Sequence, residues 1–223
     1  MRDATGEVPI VAQGKDREVF ADFYRDATER GTLFYAPTHI SPSRRRNWIC
    51  TGPITYQAQD ALKRELDTFR AAVPPGTQAD LFFTTTSPAS FEPYHRIGHY
   101  RSEEEYVFAF AEAMRTEYEM IVDAGFLVQV DDAWLVALWD RIGIEMGLDA
   151  LRKRSLMRIE ALNHALRNIP EDKIRYHLCW GSWHGPHAFD IPLADVVDLM
   201  LQVKAQAYLI EAANARHEHE YAV

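Results

Sequence analysis

Only two cysteines, Cys50 and Cys179, occur in 223 residues. Two are too few for a disulfide framework and suit a chain kept in a reducing, cytoplasmic setting. Long apolar runs are missing as well: nothing approaches the roughly 18 consecutive apolar residues of a membrane-crossing helix. The opening stretch MRDATGEVPIVAQGKDREVF has no apolar segment behind a basic start, so no secretory signal is expected. Positive charge is scarce, with 24 Lys and Arg against 33 Asp and Glu and a net charge of −9. A dedicated nucleic-acid binder needs a basic face to meet phosphates, so that class is excluded. The basic cluster Arg44-Arg45-Arg46 reads as a solvated turn. Disorder is excluded by the opposite of scarcity: 47 % hydrophobic residues, including 11 Phe, 10 Tyr and 5 Trp, supply ample surface to bury.

Helical and extended patterns alternate along most of the chain. Residues 16–30 form an amphipathic helix, with Val19, Phe20, Phe23 and Ala27 at helical spacing. Residues 31–46 turn loop-like around Pro37 and Pro42. Residues 47–50 (NWIC) read as a strand stopped by Thr51-Gly52-Pro53, and residues 56–73 as a helix closed by Pro74-Pro75-Gly76. Residues 80–85 (DLFFTT) are a strand ending before Ser87-Pro88. Ser102 followed by Glu105 marks a capping box for a helix over 106–122, which Gly125 stops. Strand 126–130 (FLVQV), helix 148–168, strand 174–179 (IRYHLC), helix 193–204 and strand 207–211 (AYLIE) follow. Such alternation implies βα units and a largely parallel sheet. An α/β fold of (β/α)8 barrel type is the natural candidate, yet only five strands are legible where eight close a barrel. The domain reading is a helical and loop segment over 1–44 followed by a partial barrel over 45–223.

Polar groups gather where the strands end: Thr51, Ser87, Asp131, His177 with Cys179, and Glu211. In parallel α/β folds the C-terminal edge of the sheet is where sites form. His177 and Cys179 are two apart on a strand, so an imidazole and a thiol share one face, and both suit Zn²⁺. Their competing reading is a buried histidine and a small buried cysteine. Glu211 closes an apolar strand and needs a partner there, since an unpaired buried carboxylate is costly. Asp131 closes FLVQV; either it faces the site, or it or Asp132 caps a following helix at Ala133. The segments 183–187 and 217–220 are rich in histidine and read as polar loops at the mouth of the site, while Trp134 and Trp139 read as packing residues.

Several of these stretches together resemble the cobalamin-independent methionine synthases and their shorter single-barrel relatives, which include epoxyalkane:coenzyme M transferases. The matching pieces are Thr51-Gly52-Pro53-Ile54-Thr55, EAMRTEYEMIVDAGFLVQVDD at 112–132, IRYHLCWG at 174–181 and AYLIEAANARHEHE at 207–220, in the family's order. What the resemblance implies is a partial (β/α)8 barrel with a zinc ion that activates a thiol. By residue matching, His177, Cys179 and Glu211 fall on zinc ligands, and Asp131 falls on the aspartate that holds the amino group of homocysteine. Ser87 and Trp180 join Asp131 as substrate-contacting candidates. The implied activity is transfer of a methyl or alkyl group to a thiol such as homocysteine, the methyl donor being a reduced folate. Coenzyme M-type alkylation and a non-catalytic homologue are the alternatives. The run DLFFTTTSP at 80–88 has no counterpart in methionine synthases proper, and the family's fourth zinc ligand, a cysteine in an Asp-Cys-Gly context, has no match here. Five strands cannot close a barrel, so a homo-oligomer or a complementing fragment is expected to cover the inner face. Neither a nucleic-acid partner nor a membrane is expected.

Overall fold

The structure is a computed structural model that describes residues 14–30, 48–181, 185–211 and 213–223, with the side chains of Trp48 and residues 92–96 left aside. The Arg44–Arg46 cluster, Pro37, Pro42, Trp183 and His184 lie outside the described residues. Where the pattern predicts one N-terminal helix, the chain forms two, α1 (Lys15–Val19) and α2 (Ala21–Glu29), broken at Phe20. The expected apolar face also turns out rotated. Val19 and Phe23 point outward, whereas Asp16, Tyr24 and Ala27 are buried.

Strand β1 (Trp48–Cys50) precedes α3 (Gln59–Ala72), whose Leu62 and Leu66 are buried. Its end at Val73, in extended geometry, is what a following proline imposes. After β2 (Phe82–Thr86) comes a 3₁₀ segment (Pro88–Tyr94) and a short strand β3 (His95–Ile97) that pairs in parallel with β1. Helix α4 (Glu103–Asp123) starts at Ser102, whose hydroxyl accepts from the Glu105 N–H at 3.1 Å. The Glu105 carboxylate reaches back one residue further than a capping box requires, to the Arg101 N–H. Gly125, at φ 86°, turns the chain out of the helix. Strand β4 (Leu127–Asp132), a π turn (Trp139–Gly143), α5 (Ile144–Met146) and α6 (Leu148–Leu166) follow, then β5 (Ile174–Leu178). The helix expected over 193–204 is reduced to a 3₁₀ turn (Leu193–Asp195) and α7 (Val197–Met200). Val196, at φ −137°, interrupts it, and the chain beyond α7 closes through i→i−3 bonds such as Val203 N–H to Met200 C=O. Strand β6 (Ala207–Ile210) completes the set.

Four strands form one parallel sheet in the order β2-β4-β5-β6, while β1 and β3 make a separate pair. The fold is therefore mixed α/β with a four-stranded parallel sheet. Its two faces differ in chemistry. Val128, Val130, Ile174, Tyr176 and Leu178 are buried on one face, in a core shared with Val107, Ala111, Tyr118 and Ile121 of α4 and Ile159 and Leu162 of α6. The alternate residues, Leu127, Asp131, Arg175, His177 and Leu209, line the other face and are half-buried. That face is polar at its centre. Arg175 lies 4.1 Å over the Phe82 ring and donates to Gln129, and Gln129 donates to Asp131 at 3.0 Å. A side-chain chain thus runs from β2 across β5 and β4 toward the C-terminal edge.

Candidate functional site at the C-terminal edge of the sheet

The register decides which groups meet. Thr86 pairs with Asp131, Asp131 with His177, and His177 with Leu209, so the four lie in one row across the sheet. Paired residues of parallel strands face the same side and sit about 5 Å apart along the row. Asp131 and His177 are thereby neighbours on the open face. Cys179 and Glu211 each follow directly on the last registered pair, Leu178 with Ile210. The backbone thus brings Asp131, His177, Cys179 and Glu211 to one edge of the sheet.

Electrostatics ties them together. The Cys179 thiol is held above its usual range, first by burial and then by the fields of Asp131, Glu211 and Asp132, while a hydrogen bond from the Gly181 N–H opposes the rise. That bond, 3.1 Å from Gly181 N to Sγ, is present in the structure. Glu211 is exposed and accepts from the Ala213 N–H at 2.8 Å. A protonated thiol is neither a nucleophile nor a ligand until it loses its proton. As arranged, the donors are suited to zinc by type but not gathered into a cage. Among the described residues no three His, Cys, Asp or Glu side chains lie close enough together to hold a metal ion.

Asp131 and Asp132 divide the two roles that the sequence left open for them. Asp132, 3 % exposed, turns to the core face and accepts from the N–H groups of Leu135 at 3.1 Å and Trp134 at 3.4 Å, and from the Tyr176 hydroxyl at 3.2 Å. The Ser87 hydroxyl also bonds to it, and burial outweighs these bonds to raise its pKa. Backbone bonds reinforce the junction: Ser87 N–H to Asp131 C=O at 3.0 Å and Cys179 N–H to Asp132 C=O at 3.2 Å. Asp132 therefore pins the ends of β2, β4 and β5 to one another, and Asp131 is left on the open face.

Ser87 and Trp180 lie elsewhere than the open face. Ser87 is fully buried, with its hydroxyl beside Asp132 and 3.0 Å from that of Ser90. Trp180 is buried too, and its indole N–H donates to the Ile191 carbonyl at 2.8 Å while its ring packs on His217. Thr51 is exposed and follows β1, which belongs to the separate two-stranded pair.

The histidine-rich loops hold what the sequence reading missed. His217 is buried, not part of a polar rim. Its Nδ1 lies 2.6 Å from Glu220 and its Nε2 3.0 Å from Asp190, and Asp190 also meets His187 Nδ1 at 2.8 Å. Glu220 in turn accepts from the Leu193 N–H at 2.8 Å. This network locks the loops after β5 and β6 to each other. The signal for it was spacing: His187 with Asp190 and His217 with Glu220 are both three apart, as partners within one turn require.

No protein-family model and no curated protein sequence matches the chain. Among solved structures, thirteen chains are similar. One is a B12-independent methionine synthase from Shewanella sp. W3-18-1 in complex with selenomethionine, at 17 % identity over 60 % of this chain with a TM-score of 0.44. The chain covers 34 % of that protein's length. A likeness of that size carries no assignment of activity.

Proposed function

We propose that the C-terminal edge of the sheet is a thiol-binding site for methyl or alkyl transfer, of the homocysteine S-methyltransferase type. The observation that carries this reading is the row Asp131–His177 on the open face, with Cys179 and Glu211 two residues beyond it along their strands. The ordered sequence resemblance supports it independently. In this reading Asp131 receives the ammonium of an amino-acid thiol, because its carboxylate is half-buried, faces the open side and is oriented by the Gln129 amide. A buried or half-buried carboxylate bonds a cation more strongly than an exposed one does. The open face then forms part of the inner wall of a partial (β/α)8 barrel.

His177, Cys179 and Glu211 are the proposed zinc ligands. Neither present bond bars that role: a thiolate sulfur can accept the Gly181 N–H while it binds a metal, and only one oxygen of Glu211 accepts from the Ala213 N–H. Bound zinc would supply deprotonation of a substrate thiol at neutral pH. The remaining contributions belong to the chain itself: Asp131 orients the substrate, and Asp132 and the His217 network hold the strand ends and loops in place. A reduced folate is the proposed methyl donor, cytoplasm the proposed compartment, and a second copy or complementing fragment the proposed cover of the open face.

Calorimetric titration with homocysteine tests the assignment of Asp131. The expected result is binding that weakens about 10- to 100-fold in Asp131→Asn, the loss of one charge-assisted bond of about 1.5–3 kcal/mol. Equal affinity in the variant removes the amino-acid substrate and favours coenzyme M-type alkylation, in which the thiol carries no ammonium.

A further inference from the structure

Helix α1 rests on the loops that leave the C-terminal edge of the sheet. The Asp16 N–H donates to Asp140 Oδ1 at 3.2 Å, so the π turn after β4 caps the free amide end of this helix. Gly14, at φ 136°, lies flat on the Asp140–Arg141 ion pair, where an added Cβ would collide with both side chains. Asp16 itself is 4 % exposed, and its Oδ1 makes no hydrogen bond among the described residues. A carboxylate oxygen buried without a donor is costly when charged and tolerable when neutral.

We propose that α1 is a proton-gated latch: it closes on the loops after β4 and β5 when the Asp16 carboxyl carries a proton, and releases them when that carboxyl is ionised. The groups around Asp16 explain the preference. The π turn presents Asp140 and Arg141, the loop after β5 presents His187 and Asp190, and α2 presents Tyr24. Lys15, Arg17 and Glu18 belong to its own helix, and Lys15 is engaged with Glu18. Arg141 pairs with Asp140 through Nη1 while its buried Nε makes no hydrogen bond among the described residues, and Asp190 is shared between His187 and His217. Asp16 is therefore left facing two carboxylates in a place shut off from water. Burial first, then Asp140 and Asp190, lift its pKa from 3.8 to about 6 against the weaker pull of Arg141 and His187.

The direction of the effect follows. Below about pH 4 the carboxyl is protonated whether α1 is docked or free, and docking is at full strength. Between about pH 4 and 6 the free form ionises first, so docking weakens with rising pH; above about 6 both forms are ionised and the weakening levels off. The full change is about a hundredfold in the docking equilibrium, two pKa units' worth.

Hydrogen exchange followed by mass spectrometry on the full chain reads this out. Peptides over residues 14–30 are compared at about pH 4.5 and 7.5 after correction for intrinsic exchange, with α6 peptides reporting any global unfolding. Wild-type protection in α1 is expected to fall about twenty- to thirtyfold over that interval while α6 is unchanged. Asp16→Asn should hold its acid-level protection at both pH values, and Gly14→Ala should be poorly protected at both. A flat wild-type profile, or an Asp16→Asn profile that falls as steeply as the wild type, overturns the latch. Neither result bears on thiol binding, which the homocysteine titration tests separately.

Discussion

Replacing Asp132 with alanine probes the junction that sets the geometry of the site. The carboxylate is 3 % exposed and accepts from two backbone N–H groups, the Tyr176 hydroxyl and the Ser87 hydroxyl. Alanine leaves all four donors without that acceptor in a region closed to water. Each donor stranded in this way costs about 1–3 kcal/mol, although relaxation and water entry make the four costs less than additive. Removing one member of a buried charged network typically costs about 3–5 kcal/mol in total, and that is the value expected here. For a chain of this length, about 2–4 °C of melting temperature per kcal/mol implies a fall of roughly 10 °C or more. Urea denaturation followed by tryptophan fluorescence measures it directly. Asp132→Asn, which keeps an acceptor oxygen and the side-chain shape, should lose about half as much, whereas Asp131→Asn should stay within about 1 kcal/mol of wild type. A loss below about 1 kcal/mol in Asp132→Ala would refute the junction, because the donors would then have found other partners.

Three further outcomes are expected. Cys179 should alkylate slowly at neutral pH, its rate still climbing above about pH 10 where an ordinary thiol has levelled off, because burial and neighbouring carboxylates raise its pKa; peptide-resolved alkylation rates check this. Gly143→Ala should destabilise by about 1–3 kcal/mol in the same denaturation assay, since its Cβ would come within 2.7 Å of the Trp139 ring and 3.1 Å of Leu151. His217→Ala should cost about 3–5 kcal/mol and loosen exchange protection in residues 185–193 and 213–223 together, as removal of the bridge between Asp190 and Glu220 requires.

Periodicity made the long elements legible and left the short ones hidden. The capping pair Ser102 and Glu105, the Gly125 stop and the apolar run 127–130 announce α4 and β4 because those segments bury a regular stripe. Strand β3 carries His95, Arg96 and Ile97, which show no alternation, so nothing local distinguishes it from a loop. The π turn at Trp139–Gly143 is equally silent, its form resting on tertiary packing. At the site, the polar residues that close the strands marked the edge in advance, whereas the register that sets Asp131 beside His177 is carried by no local pattern. The inward turn of Asp132 and the burial of His217 depend on partners 44 and 27 residues away, Tyr176 and Asp190, beyond the reach of any local pattern. The rotation of α1 has the same origin, since Asp140 draws its amide end inward.

Zinc titration of the purified chain, read by calorimetry and by metal content after dialysis, tests the proposed thiol-transfer site most directly. Uptake of about one zinc per chain with release of the Cys179 proton is expected, abolished in Cys179→Ser and retained in Asp131→Asn. No retained zinc, or equal retention by Cys179→Ser, would contradict it.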